Sequence, residues 1–414
     1  MHNKTTLPNG LRIVTGELPH TRSATVSMYV GAGSRYEPDD EAGLSHFLEH
    51  MLFKGASRRP TAREISEAIE SVGGSHNAAT DRELTVYYAK VPHTAAMETI
   101  DILADMIRAP IMDPAELEKE RSVILEELAS VEDSPGELAG ILIDETLWPG
   151  QPIGRNVGGS PDSVSSLPIS AVNAYLARQY VPENTVLAVA GNVNHEEVVA
   201  AAERWLGAVP KQAPGAWYPA TARNGTVRFA LRQKETEQAH ICLAYPSVSL
   251  SDPDRYAVDL LSTVLGEGMS SRLFLELREE RALVYDIHSY PSEFRDTGSF
   301  TIYAGCDPSN ARVTVEAVLE ETYGLLKGLP AAELAKGRIQ LRMEDTRSVA
   351  GWIGSQELLL GRVQTVDEVV EQIEAVEYDQ LMAVAKRILS PDQATMAIVG
   401  PFSDETEFTR ALGV

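Results

Sequence analysis

Two hydrophobic periods alternate along the chain. Segments such as ATVSMYV (24–30) place apolar side chains at every second position and predict strands, while AAMETIDILADMI (95–107) repeats them at helical spacing. DPAELEKERSVILEELASVE (113–132) reads as an amphipathic helix, with Asp113 as N-cap, Pro114 in the first turn and Glu116 at capping-box spacing. Its apolar stripe is Leu117, Ile124, Leu128 and Val131. HFLEHMLFKG (46–55) differs, because Leu44, Phe47, Leu48, Met51, Leu52 and Phe53 cover nearly the whole helical circumference. That pattern predicts a buried helix, capped by Asp39 or Asp40, beginning near Glu41 and closed by Gly55.

Near the midpoint the periodicity stops. GAVPKQAPGAWYPATARNGTV (207–227) is rich in Pro, Gly and Ala, which predicts a domain at 1–212, a linker at 213–227 and a second domain at 228–414. The two sides echo each other in order. TVYYAKVP (85–92) precedes AELEKER (115–121), and FTIYAGCDP (300–308) precedes AELAKGR (332–338). Each half also ends on a strand, a Gly-containing turn and a helix, LAVAGNVNHEEVVAAAERWLGAVP (187–210) against MAIVGPFSDETEFTRALGV (396–414). Hairpin-like strands with separate helices predict an α+β fold of two homologous α/β-sandwich domains, a duplicated unit, each a mainly antiparallel sheet packed with helices.

Composition narrows the partners. At 414 residues the chain is long enough for two domains, and 43% hydrophobic with 23% charged residues reads as globular. A formal net charge of −24 argues against nucleic acid and anionic membrane surfaces, and favours basic ligands. Only Cys242 and Cys306 are present, so no disulfide framework is expected and a reducing compartment is. The start, MHNKTTLPNGLRIV, lacks a signal-peptide pattern, and no apolar run has membrane-spanning length. A cytoplasmic location is the expectation.

The buried helix poses the chemical question. His46 and His50 stand at i and i+4 on one face with Glu49 beside them, and buried ionisable groups need partners. A divalent metal supplies one: two imidazoles grip zinc, and a neighbouring glutamate serves as general base toward a water at the metal. The order is H-x-x-E-H, the inverse of the zincin motif. A third protein ligand is then required. On helix 113–132, Glu120 and Glu127 both flank the apolar stripe, whereas Glu126 points to solvent, so geometry offers Glu127 or Glu120.

HFLEH followed downstream by Glu127 inside ERSVILEE (120–127) resembles the M16 metallopeptidases, also called pitrilysin-like enzymes or inverzincins. The resemblance runs from NGLRIV (9–14) to the C-terminal repeat. A two-domain chain of this length is similar to the M16B branch, which includes mitochondrial processing peptidase subunits and bacterial peptidases. It implies ligation of Zn2+ by His46, His50 and Glu127, with Glu49 as general base and Glu120 as a supporting acid. HNAATDRELTVYYAKV (76–91) resembles the segment whose edge strand receives substrate, Asn77 and Ala78 matching its NA positions. Arg278 and Tyr285 in LFLELREERALVYD (273–286) match a pair implied to hold the substrate backbone and stabilise the tetrahedral intermediate.

AVDLLSTVLGEG (257–268) stands opposite HFLEH without a histidine; Gly337 falls where Glu120 does, and Glu344 echoes Glu127. One zinc per chain follows. The resemblance further implies a homodimer enclosing a chamber that hydrolyses unfolded peptides, with acidity leaning toward basic ones. The rival expectation is a non-catalytic or partner-dependent subunit of a processing-peptidase-like heterodimer.

Overall fold

The alternating segments form two sheets in a computed structural model that describes residues 2–221, 228–328 and 345–413. AELAKGR (332–338), Gly337, Glu344 and residues 222–227 of the expected linker lie outside the described residues. Two compact units result: Met1–Leu128, Asn156–Tyr218 and Gln340–Thr365 form the first, and Ala129–Arg155, Pro219–Ile339 and Val366–Val414 the second.

The first sheet comprises β1 (His2–Thr6), β2 (Arg12–Glu17), β3 (Ser23–Val30), β4 (Ser75–Thr80), β5 (Thr85–Pro92) and β6 (Thr185–Gly191). Their spatial order is β1-β2-β6-β3-β5-β4, antiparallel except where β2 runs parallel to β6. The second sheet comprises β7 (Phe229–Gln233), β8 (Ala239–Ser247), β9 (Val284–Glu293), β10 (Gly298–Cys306) and β11 (Thr395–Gly400), in the order β7-β11-β8-β10-β9. Its one parallel pair is β11 with β7. Matching β2, β6, β3, β5 and β4 to β7, β11, β8, β10 and β9 gives the same order with the parallel pair in the same place. The repeat suggested by the sequence is a repeat of topology.

The domain boundaries differ from a single cut at a linker. Helix Pro135–Leu147, from the first half of the chain, packs Leu138, Ile143 and Leu147 onto Cys242, Ala244, Ala397 and Val399 of the second sheet. Helix Thr346–Leu360, from the second half, packs Ile353 and Leu358 onto Val14, Tyr29, Val186 and Ala188 of the first. The physical reason is two-sided burial. Strand β6 is buried at every position, so both sheet faces need an apolar cover, and each half supplies one for the other's sheet.

The opposite face of the first sheet carries the larger core. Ile13, Val26, Met28 and Tyr87 pack there with Leu44, Phe47, Leu48 and Met51 of helix Leu44–Leu52 and with helix Ala96–Arg108. This buries the HxxEH helix as its pattern required. Its start is a correction to the sequence reading: Asp39–Glu41 makes a separate 3₁₀ turn, and neither Asp39 nor Asp40 caps the helix. The cap is Glu37, a fully buried carboxylate that accepts hydrogen bonds from Gly43 N (2.8 Å) and Ser45 N (2.6 Å). Gly43 enters the helix at φ +92°, where the carbonyl oxygen of Gly158 would lie 2.6 Å from an added Cβ, so only glycine fits.

Candidate metal centre

Helix Pro114–Glu132 lies so that Glu120 is buried beside Leu117 and Ile124, while Glu127 is 49% exposed. Glu126 is exposed, as its position on the helix predicts. The carboxylate of Glu127 meets both imidazoles of the HxxEH helix: Oε2 is 3.8 Å from His46 Nε2 and 3.6 Å from His50 Nε2. The rings meet edge to face, centroids 4.7 Å apart. Ligand atoms of a tetrahedral zinc site, each at about 2.1 Å from the metal, stand about 3.4 Å apart. The spacing here is that of three donors around a space one ion would fill. Among the described residues no other trio of His, Cys, Asp or Glu side chains converges in this way.

The donor set fits zinc by its electrostatics too. Burial, reinforced by the neighbouring His50, pushes the His46 pKa down to about 4, so this imidazole keeps a lone pair for a cation at neutral pH. Its Nδ1 is buried with no hydrogen-bond partner among the described residues. His50 is held differently, its Nδ1 lying 3.0 Å from Glu120 Oε2. An acceptor at Nδ1 selects the tautomer that leaves the lone pair on Nε2, the nitrogen that faces Glu127.

Glu49 sits beside the trio with its carboxyl pKa raised, chiefly by burial and secondarily by Glu127, against the lowering effects of Thr80 and His50. Thr80 donates a short hydrogen bond from Oγ1 to Glu49 Oε2. It is the last residue of β4, which among the described residues pairs only with β5 and forms the edge of the first sheet. Asn77 and Ala78 lie on this edge strand. Asn77 is exposed and its Oδ1 accepts from Ala78 N at 2.9 Å, while the Ala78 side chain packs against the core.

The structure thus gathers His46, Glu49, His50, Glu120 and Glu127 in the first unit, with the Asn77–Ala78 strand tied to them through Thr80. Arg278 and Tyr285 belong to the second unit. Arg278 lies on a π-helical turn, Phe274–Glu280, its guanidinium 4.8 Å from the Phe274 ring centroid. Tyr285 is 63% exposed at the start of β9. Between them Ala282 adopts φ +48°, left-handed for a residue with a Cβ. Wide turns and strained residues of this kind concentrate at functional sites.

Three contributors escaped the sequence reading. Lys54 stands at i+4 from His50 and touches Glu120 at 2.5 Å, so helical spacing could have found it. Thr80 shares the inward face of β4 with Ala78 by strand alternation. No local pattern marks Glu37.

A two-sheet α+β chain with an inverted HxxEH helix and a distant glutamate defines the class of zinc-peptidase-like proteins. Residues 12–160 match the family model described as insulinase (peptidase family M16), and residues 166–341 match the peptidase M16 inactive domain. An uncharacterized zinc protease of Streptomyces coelicolor is 39% identical over 97% of this chain and 90% of its own length. One of Bacillus subtilis is 35% identical over 97% and 98%. Among solved structures, a protease from Helicobacter pylori superposes with a TM-score of 0.90 at 23% identity, covering 97% of this chain and 99% of that one. The chain belongs to the M16 family. Its relatives are named zinc proteases, and no described helix is long and apolar enough to cross a membrane.

Proposed function

We propose that this protein is a zinc-dependent peptidase that hydrolyses peptide bonds of unfolded peptides, holding one zinc per chain at His46, His50 and Glu127. The observation that carries this reading is the convergence of those three donors with Glu49 beside them and Glu120 behind His50. Bound there, zinc supplies Lewis-acid polarisation of a water and of the scissile carbonyl. Glu49 would accept one proton at its carboxylate from the attacking water and return it to the amine nitrogen as the C–N bond breaks. Burial strengthens Glu49's hold on the proton between the two transfers, and Thr80 fixes the carboxylate that carries it. The outer edge of β4, which no other described strand covers, supports sequence-tolerant main-chain binding of an added peptide strand, with Asn77 Oδ1 holding the Ala78 N–H in its absence.

The same reading makes the enzyme a homodimer around a chamber, in which Arg278 and Tyr285 of one protomer hold substrate at the metal centre of the other. The net charge of −24 supports a preference for basic peptides, and the cysteine usage supports a cytoplasmic location.

The test is a peptide-library digest by the purified protein, read by mass spectrometry alongside metal stoichiometry. Cleavage abolished by a chelator and by Glu49→Gln is the expected result. Stoichiometric zinc without cleavage of any peptide would instead favour a partner-dependent subunit. For the dimer, mixed Glu49→Gln and Arg278→Ala chains should regain activity that neither has alone. An active monomer on a sizing column would refute that arrangement.

A further inference from the structure

We propose that Lys54 is a positioning residue of the metal centre, acting through Glu120 on His50. This rests on the reading of His46, His50 and Glu127 as metal ligands. Glu120 is a carboxylate with only 7% of its side chain exposed, and its two oxygens are divided between two partners. Oε1 meets Lys54 Nζ at 2.5 Å and Oε2 meets His50 Nδ1 at 3.0 Å. A carboxylate gripped at both oxygens cannot rotate, so the acceptor facing Nδ1 is fixed in direction as well as in distance. That in turn fixes the plane of the His50 ring and the tautomer that leaves Nε2 available.

The two histidines are therefore not equivalent. His46 Nδ1 is buried without a hydrogen-bond partner among the described residues, so nothing comparable orients that ring. Preorganisation of the site is concentrated on the His50 side, and Lys54 is its outermost element. Lys54 is placed there by the chain itself. Its backbone N–H bonds to Met51 O at 3.1 Å in the turn that ends the HxxEH helix, bringing its side chain back over the His50 face. Removing the ammonium would leave Glu120 Oε1 buried without its cation and free the carboxylate to turn away from Nδ1.

The test measures zinc affinity of the chelator-treated full chain by competition with a chromophoric chelator, with the visible spectrum of the cobalt-loaded protein as a geometric readout. Outer partners of metal-bound histidines typically affect affinity by about 10- to 100-fold. Lys54→Met should weaken zinc binding by about tenfold and shift the cobalt bands, with Lys54→Arg restoring both. In a Glu120→Gln background, Lys54→Met should add nothing further, because the path to His50 is already cut. Unchanged affinity in Lys54→Met, or the same loss with and without Glu120, would overturn the inference. Failure of the unaltered protein to bind zinc would refute the metal reading itself. Should Lys54→Met not fold, Lys54→Gln takes its place in both backgrounds.

Discussion

Thr80 joins two parts of the chain that the sequence presents as separate, edge strand β4 and Glu49, which the proposed function makes the substrate strand and the general base. Replacing it by valine keeps the shape and removes the hydroxyl, so Glu49 loses the donor that orients it. A Thr80→Val enzyme should lose about tenfold in kcat with little change in KM or zinc content, and Thr80→Ser should recover most of the loss. Steady-state kinetics on one peptide decides this. His46 makes a second prediction. Its folded pKa, about 4, lies below the unfolded value near 6.5, so the unfolded chain binds more protons between those limits. Stability of the metal-free protein is then retained above about pH 6.5 and lost as pH falls toward 4. With allowance for partial solvent access, the loss is about 1–2 kcal/mol. Urea titrations at pH 7 and 4.5 should show this difference between the unaltered protein and His46→Gln. At this scale the residue types of the metal centre were legible, because i, i+4 histidines in an apolar helix have few other uses. Lys54 and Thr80 leave a spacing signal, i+4 from His50 and alternation with Ala78, but spacing does not name the atom each touches, and Glu37 leaves no signal at all.

The HxxEH helix shows how an element's identity and its placement come from different information. Its all-round apolar surface announces burial, and it is buried. Its start is set instead by Glu37, which reaches the first N–H groups from a preceding loop, and by Gly43 packed under Gly158. A fully buried carboxylate at a helix N-terminus is stabilised by the dipole and by charge-assisted hydrogen bonds. Glu37→Gln should destabilise the protein by about 2 kcal/mol, because an amide places a donor where an acceptor is needed. The midpoint of thermal unfolding measures this, and a variant as stable as the unaltered protein would show that Asp39 or Asp40 can replace the cap. Helix Pro114–Glu132 was read more completely from sequence. Leu117, Ile124 and Leu128 are buried on the expected stripe, and Asp113 Oδ1 accepts from Ala115 N as an N-terminal cap. Geometry alone left Glu120 and Glu127 open as the third donor, since both flank the stripe. Only packing against the histidines separates them, with Glu127 at Nε2 and Glu120 at Nδ1.

For the whole molecule the unexpected feature is the exchange of helices between the two halves of the sequence. Val14, Tyr29, Val186 and Ala188 are covered by a helix that begins at Thr346, so residues 1–221 by themselves lack one cover of their sheet. Expressed alone, that half should bind a hydrophobic dye and unfold without cooperativity, and the full chain measured beside it should show neither behaviour. In the full chain Ile353→Ala should cost about 2–4 kcal/mol, as in other buried large-to-small changes, although Ile353 lies far along the chain from the strands it touches. What the sequence by itself determined is the α+β character, the duplication, the HxxEH motif on a buried helix and the shortlist of acids, because periodicity and i, i+4 spacing are local properties. The tertiary structure decided which glutamate faces which nitrogen, what caps the buried helix, which strand edge is tied to Glu49 and which helix covers which sheet. Those depend on which segments meet, from Glu37 with Gly43 close by in the chain to helix Thr346–Leu360 on the first sheet, and no local pattern encodes the partner of a contact.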